Sequence, residues 1–294
     1  MTETQPASIP QVAVLLTAYN GMAWIEEQVD TILNQEKVAV TLFISVDLSS
    51  DGTHDWCLQR AASDNRMKVL PYGETFGGAA TNFFRLIHDV DFTPFDYIAL
   101  SDQDDLWFPD KLHHSASLIQ THHYDAVSSD VIAFWADGRE KRIRKSWPQK
   151  RYDHFFEAAG PGCTYLFKAD ALSAFQSDLR AHRDTINRVA LHDWFLYAWF
   201  RQHAYLWHID DTPMMHYRQH TQNQVGVNCG LRAWKNRLGL VKNKWYRGEV
   251  EKIRQILHYP EPFGFWFRVK QFRQLRRRPR DAWVLLALTL FGLY

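Results

Sequence analysis

Three short apolar runs, Val12 to Thr17, Val40 to Val46 and Tyr97 to Leu100, each stop at a cluster of small polar or acidic residues. That repeated ending constrains the fold more than any other feature of the chain. Runs this short, apolar and bounded by turn-forming residues, predict buried strands rather than helices. Between them, Trp24, Val29, Ile32 and Leu33 recur among polar neighbours and predict a helix, Lys68 to Leu70 predicts a short strand, and Ala79 to His88 a second helix. Strands alternating with helices require right-handed crossovers between parallel neighbours. The expected fold class is therefore α/β, with a mostly parallel open sheet and flanking helices. Ligands of such sheets bind beyond the carboxyl ends of the strands, which is where Thr17 to Asn20, Asp47 to Asp51 and Asp102 to Asp105 fall.

The chemistry open to those clusters is limited. No G-x-G-x-x-G follows the first strand and no G-x-x-x-x-G-K-[ST] occurs, so the usual glycine-rich phosphate cradles are excluded. Asp102 and Asp104 stand two apart, which directs both carboxylates to one side of an extended segment and suits Mg²⁺ or Mn²⁺ as cofactor. The three cysteines, Cys57, Cys163 and Cys229, are widely separated, against a disulfide scaffold or a thiolate zinc site and in favour of a reducing compartment. His113-His114 and His122-His123 lack a further ligand at metal-site spacing and read as surface pairs. Met1 to Gln11 has no signal-peptide pattern and no uncharged apolar run reaches the ~20 residues of a membrane span, so a cytoplasmic location is expected.

Together, Thr17-Ala18-Tyr19-Asn20, Val46 to Thr53, Phe76 to Asn82 and the S-D-Q-D-D-L-W run from Ser101 to Trp107 resemble a family 2 glycosyltransferase of the GT-A fold. Gly162-Cys163-Thr164, His192-Asp193-Trp194 and Tyr217 to Asn223 with Gly226 resemble its rhamnosyltransferase-like branch, and the likeness covers roughly residues 10 to 228. One departure is Leu48, where the family's D-D-G-S has glycine. The resemblance implies inverting transfer of a sugar, rhamnose, from a nucleotide diphosphate sugar to a glycan or lipid-linked acceptor in cell-surface polysaccharide assembly. The same fold using another nucleotide hexose is the alternative. By the same resemblance Thr17, Tyr19 and Asp47 would hold base and ribose, and Asp102 the ribose or metal side. Asp104 would be the main metal ligand, and His220 a ligand or diphosphate contact. Arg218 would meet a phosphate or make a structural ion pair. Asp193 would be the general base, unless it is a helix N-cap.

The formal net charge of +1 conceals a division. Residues 231–294 hold 15 Lys and Arg against four acids, or +11, which leaves −10 for residues 1–230. A catalytic domain over 1–230 and a basic helical extension over 231–294 are the expected organisation. Within the extension Trp234, Leu238, Val241 and Trp245, then Phe265, Val269, Phe272 and Leu275, form apolar stripes among Lys and Arg. Such helices suit an anionic membrane surface, giving a peripheral protein at the inner face of the cell membrane, or they pack on the catalytic domain or in a homodimer. Basic residues interleaved with aromatics also suit nucleic acid, but the acidic catalytic half argues against it and none is expected as a partner. Arg139 to Arg151 reads as a solvated basic loop, or as a flap over an anionic donor or acceptor.

Overall fold

The computed structural model describes residues 8–220 and 245–294. Trp234, Leu238, Val241, Cys229, the Gly230 boundary and the end of the Tyr217 to Asn223 segment lie outside the described residues. In chain order the elements are β1 (Gln11–Ala18), α1 (Ile25–Leu33), β2 (Ala39–Val46), α2 (Thr53–Ser63), β3 (Met67–Val69), α3 (Ala79–Asp89), β4 (Tyr97–Ser101), β5 (Leu106–Trp107) and α4 (Lys111–His122). There follow β6 (Ala126–Ser129), β7 (Val131–Trp135), β8 (Glu140–Ile143), β9 (Leu166–Lys168), α5 (Ala169–Ala181), α6 (Arg183–Ile186), α7 (His192–Gln202), β10 (Trp207–Asp210) and β11 (Met215–Gln219). Three helices end the chain, α8 (Trp245–Ile256), α9 (Phe265–Leu275) and α10 (Pro279–Leu290).

The main sheet has the order β10-β6-β9-β4-β1-β2-β3, with β9 antiparallel to both of its neighbours and the other pairs parallel. Its centre is buried on both faces, and alternate residues of β1 show how. Ala13 and Leu15 enter one apolar cluster while Val12, Val14 and Leu16 enter the other. A second sheet, β5-β11-β7-β8, pairs β11 antiparallel to β5 and parallel to β7. It leaves the end of β11 close to the acidic loop between β4 and β5.

The C-terminal helices share the larger apolar cluster with the rest of the chain through Val250, Ile253, Leu257, Phe263, Leu275, Leu285 and Tyr294. They are also tied in by charge. Arg277 donates to a fully buried Asp153 at 3.0 Å and to the Ala158 carbonyl at 2.5 Å, while Arg201 (3.4 Å) and the Tyr197 hydroxyl (2.8 Å) reach the same carboxylate. The apolar stripe expected on α9 is only partly built. Leu275 points inward, but Phe265 is exposed and Arg268 is buried instead, its guanidinium 4.4 Å from the Tyr294 ring and bonded to Thr289 and the Phe263 carbonyl. Trp24 likewise precedes α1 rather than joining its apolar face.

Breaking a buried ion pair leaves a charge without its partner and costs about 3–5 kcal/mol. Arg277→Met, which keeps the length and removes the charge, is expected to lower the unfolding free energy by about 3 kcal/mol in urea titrations at neutral pH. A midpoint equal to that of the unsubstituted chain would show the network to be energetically neutral.

Candidate active site

A cleft of about 1910 Å³ opens at the carboxyl ends of β1, β2 and β4 and runs on to the C-terminal helices. Thr17, Tyr19, Asp47, Asp102, Asp104, Asp193 and His220 all line it, so the fold brings together seven of the eight residues proposed from sequence. Arg218 is the eighth and does not line the cleft. Its Nε donates to the Asp104 carbonyl at 2.8 Å, a second nitrogen meets Glu27 at 2.6 Å, and its backbone N–H donates to Asp105 at 3.1 Å. The guanidinium also lies 4.7 Å from the Phe134 ring. Of its two sequence readings, the arrangement is that of the ion pair, and its effect is to fix the acidic loop.

At the ends of β1 and β2, two loops lock together through backbone N–H groups. Asn20, in the left-handed region at φ 45°, donates to Ser49 Oγ at 3.0 Å and accepts from the Ser50 N–H at 2.9 Å. The Gly21 and Met22 N–H groups reach Thr53 and Asp51. Asp47 accepts from the N–H groups of Leu48 at 2.8 Å and Phe76 at 3.0 Å, which brings the Gly77-Gly78 turn at the start of α3 beside it. Leu48 needs no positive φ and its side chain is exposed, so leucine fits where the related motif has glycine. Tyr19 is 57% exposed, its ring free to meet a flat ligand. The Gln103 amide joins this loop to the acidic one by accepting from the Tyr19 N–H at 2.8 Å and donating to the Tyr19 carbonyl at 3.0 Å. A Cβ on Gly21 would stand 2.3 Å from Gln103 Oε1, so a larger residue there would displace the Gln103 amide.

In the acidic loop, Asp104 Oδ2 lies 2.6 Å from His220 Nε2, and the His220 ring stacks on Trp24 with centroids 4.1 Å apart. Burial first, then the neighbouring charges of Asp104 and Asp193, push Asp102 up to about 7. Asp105 is 1% exposed beneath the loop, and burial followed by Asp104 and Asp102 raises it as well. This concentration of carboxylates with a histidine at its edge fits a hard divalent cation. Among the described residues, ligand atoms of Asp102, Asp105 and Cys163 also gather within 4.8 Å of one another. Burial, Asp105 and Asp102 raise the Cys163 thiol well above its usual range, so beside these carboxylates it is an S–H donor.

Asp193 is the second residue of α7, whose cap position is Leu191, so it is not the helix N-cap. Its carboxylate accepts from the Trp194 N–H at 2.7 Å. Burial raises it to about 6, against the opposing pull of that N–H and of Lys145. Lys145 belongs to the basic segment after β7, which buried Asp130 tethers by accepting from Arg142 at 2.8 Å and from the Lys145 and Ser146 N–H groups at 2.6 and 2.9 Å. The segment is thus a bound wall of the cleft, with Arg144, Lys145 and Trp147 on its lining.

Sequence reasoning missed several residues of this site. Trp24 was assigned to a helix stripe, and Gln103 sat unremarked inside the acidic motif. His192 lines the cleft with its ring 4.0 Å from that of Phe83, and its Nε2 lies where a Cβ on Gly162 would collide at 2.4 Å. The adjacency of His192 to Asp193 and of Gly162 to Cys163 was the available signal.

Comparison with known proteins agrees with this geometry. The family described as Glycosyltransferase like family 2 matches residues 10–209. The chain is 45% identical over 290 residues to a dTDP-rhamnosyl transferase, RfbG, of Shigella flexneri, covering 95% of this chain and 100% of the relative. It is 32% identical over 143 residues to a putative glycosyltransferase, EpsE, of Bacillus subtilis, 48% of this chain and 50% of that one. Two solved structures share the fold at low identity. TarS 1-349 of S. aureus, in complex with UDP-GlcNAc, has a TM-score of 0.56 at 13% identity and covers 95% of this chain and 71% of its own. The mannosyltransferase PcManGT of Pyrobaculum calidifontis, in complex with GDP-Man and Mn²⁺, has a TM-score of 0.52 at 16% identity over 97% and 75%. With a GT-A sheet, an acidic loop at its carboxyl edge and a family match over two thirds of its length, the chain belongs to glycosyltransferase family 2.

Proposed function

We propose that this glycosyltransferase moves rhamnose, with inversion, from a dTDP-linked donor to a hydroxyl of a glycan or lipid-linked acceptor in cell-surface polysaccharide assembly. The observation that carries the reading is the presence in one cleft of the Asp104–His220 pair and a separate buried carboxylate, Asp193. The relative named for dTDP-rhamnosyl transfer, matched over its whole length, supports the donor. Thr17, Asp47 and the exposed Tyr19 ring hold the base and ribose, with Asp102 on the ribose side. Asp104, with His220 at its edge, would hold Mg²⁺ or Mn²⁺. Such a cation supplies Lewis-acid stabilisation of the departing nucleoside diphosphate. Arg218 holds the loop that carries Asp104 instead of touching phosphate.

Asp193 acts as the general base, taking the proton of the acceptor hydroxyl as that oxygen attacks the anomeric carbon opposite the leaving group. A carboxylate raised to about 6 is ionised at neutral pH yet basic enough to accept that proton. Lys145 and the Trp194 N–H keep it from rising further.

Donor class and metal are tested together by thermal shift with dTDP-rhamnose, UDP-GlcNAc and GDP-Man, each with and without Mn²⁺. Stabilisation by the dTDP sugar that needs the cation is expected. A preference for another nucleotide would replace the donor assignment. Asp104→Asn is expected to abolish the cation-dependent part of that shift while the apo melting temperature holds, because an amide cannot supply the anionic oxygen. Unchanged donor–metal affinity would remove Asp104 from the ligand set.

Turnover is expected to fall as pH drops through about 6, since protonation of Asp193 removes the base. Asp193→Asn is expected to lower turnover by about 10²-fold or more at neutral pH while leaving donor affinity within a few-fold. Activity retained within about threefold, or an acid limb unchanged in that variant, would assign the base elsewhere.

A further inference from the structure

Helices α9 and α10 bury one side against the core and present an apolar surface on the other. Of the twelve large apolar side chains that are exposed among the described residues, seven lie between residues 265 and 293. Trp266 is 71% and Phe291 79% exposed, with Phe265, Trp283, Val284, Leu290 and Leu293 around them. Scattered single residues of this kind need no explanation, whereas seven on one helical pair do. The two helices present them jointly, since the Phe272 and Trp283 rings meet at 4.7 Å. On α10 the outward positions 280, 283, 284, 287 and 290 follow helical spacing, and its inward positions Ala282, Leu285 and Thr289 are buried.

The rim of this surface is basic. Lys270, Arg273 and Arg280 are exposed on the same two helices and Arg278 between them, while Asp281 is half-buried and faces Arg276 at 4.0 Å. Arg276 and Arg277, by contrast, are engaged internally and do not contribute. The surface is also continuous with the cleft, whose lining includes Arg278, Arg280, Val284 and Leu293.

We propose that this outward face of α9 and α10 seats the protein on an anionic lipid bilayer. The chemistry matches in both parts. Trp and Phe prefer the head-group boundary, and a Lys and Arg rim answers anionic lipid. Among the described residues no helix is long and apolar enough to cross a membrane, so the face lies in the interface. A second copy fits less well, because a two-fold contact through this face would set its basic rims against each other. Seated in this way, the arginine-lined mouth of the cleft lies at head-group level, where an acceptor carried on a lipid would reach the Asp193 end without leaving the membrane. That last step rests on the transferase reading; the docking itself does not.

The test is sedimentation of the full chain with phosphatidylcholine vesicles, with and without phosphatidylglycerol, at low and high salt. Binding that requires the anionic lipid and weakens as salt rises is expected. Combined Trp266→Ser, Trp283→Ser and Phe291→Ser should lower vesicle affinity by at least about tenfold. Lys270→Glu with Arg273→Glu should remove the lipid-charge dependence, and this pair decides the matter should the triple variant fail to fold. Equal binding to neutral vesicles, or unaltered binding by both variants, would overturn the proposal. So would a dimer that the apolar substitutions dissolve with no vesicle binding by either form, which would give the face to a second copy. Rhamnosyl transfer to a soluble acceptor, measured alongside, reports on the transferase reading separately.

Discussion

Four carboxylates, Asp102, Asp104, Asp105 and Asp193, are concentrated at one end of a buried parallel sheet, and their mutual repulsion is the constraint that the surrounding structure answers. Each is met by a different device. His220 takes Asp104 at 2.6 Å, the Arg218 backbone and the Cys163 thiol serve Asp105, and Trp194 and Lys145 serve Asp193. Lys111 lies buried below, over the Trp107 ring at 3.7 Å, with burial drawing it down to about 8 while Cys163 and Asp105 pull the other way. Asp102 shares the Cys163 thiol, and burial together with the charges of Asp104 and Asp193 still raises it to about 7. The second sheet has its purpose here, because β11 alone delivers both Arg218 and His220 to the loop.

The first half of the fold was legible because it is local. β1, β2, β3, α3 and β4 were each expected within a residue of where they stand, since short apolar runs and helical spacing are properties of neighbouring residues. The second sheet was not legible. β5 has two residues and β8 four mostly exposed ones, and the sheet is joined through β11, which pairs with β5 and β7 from more than 80 positions away. The loops after β1 and β2, the acidic loop and Asp193 were found through motif and resemblance, and the fold brings all of them to one cleft. Less legible were side chains whose partners lie far along the chain. Arg218 is consumed by Glu27 191 positions away, and Trp24 is turned from the helix face to His220.

The C-terminal helices show the same limit in another form. Charge counting separated residues 231–294 from the rest, and correctly marked that stretch as different in composition. It carried no information about which of those charges are surface groups. Arg268, Arg276 and Arg277 are spent on internal partners, while Lys270, Arg273, Arg278 and Arg280 remain at the surface. Burial, and not composition, divides structural arginines from available ones.

The buried junction of Asp153 with Arg277, Arg201 and Tyr197 has a consequence for anyone seeking to retarget such an enzyme. The helices that wall the far end of the cleft are wired to the Asp153 turn and through it to α7, so they do not behave as an interchangeable cassette. A chimera joined between β11 and α8 inherits one half of a charge cluster from each parent, and it loses stability unless the donated arginine finds an acid in the recipient's interior. Recombination among related transferases is thereby confined to pairs that carry both halves, or to crossovers that move the Asp153 turn together with the closing helices.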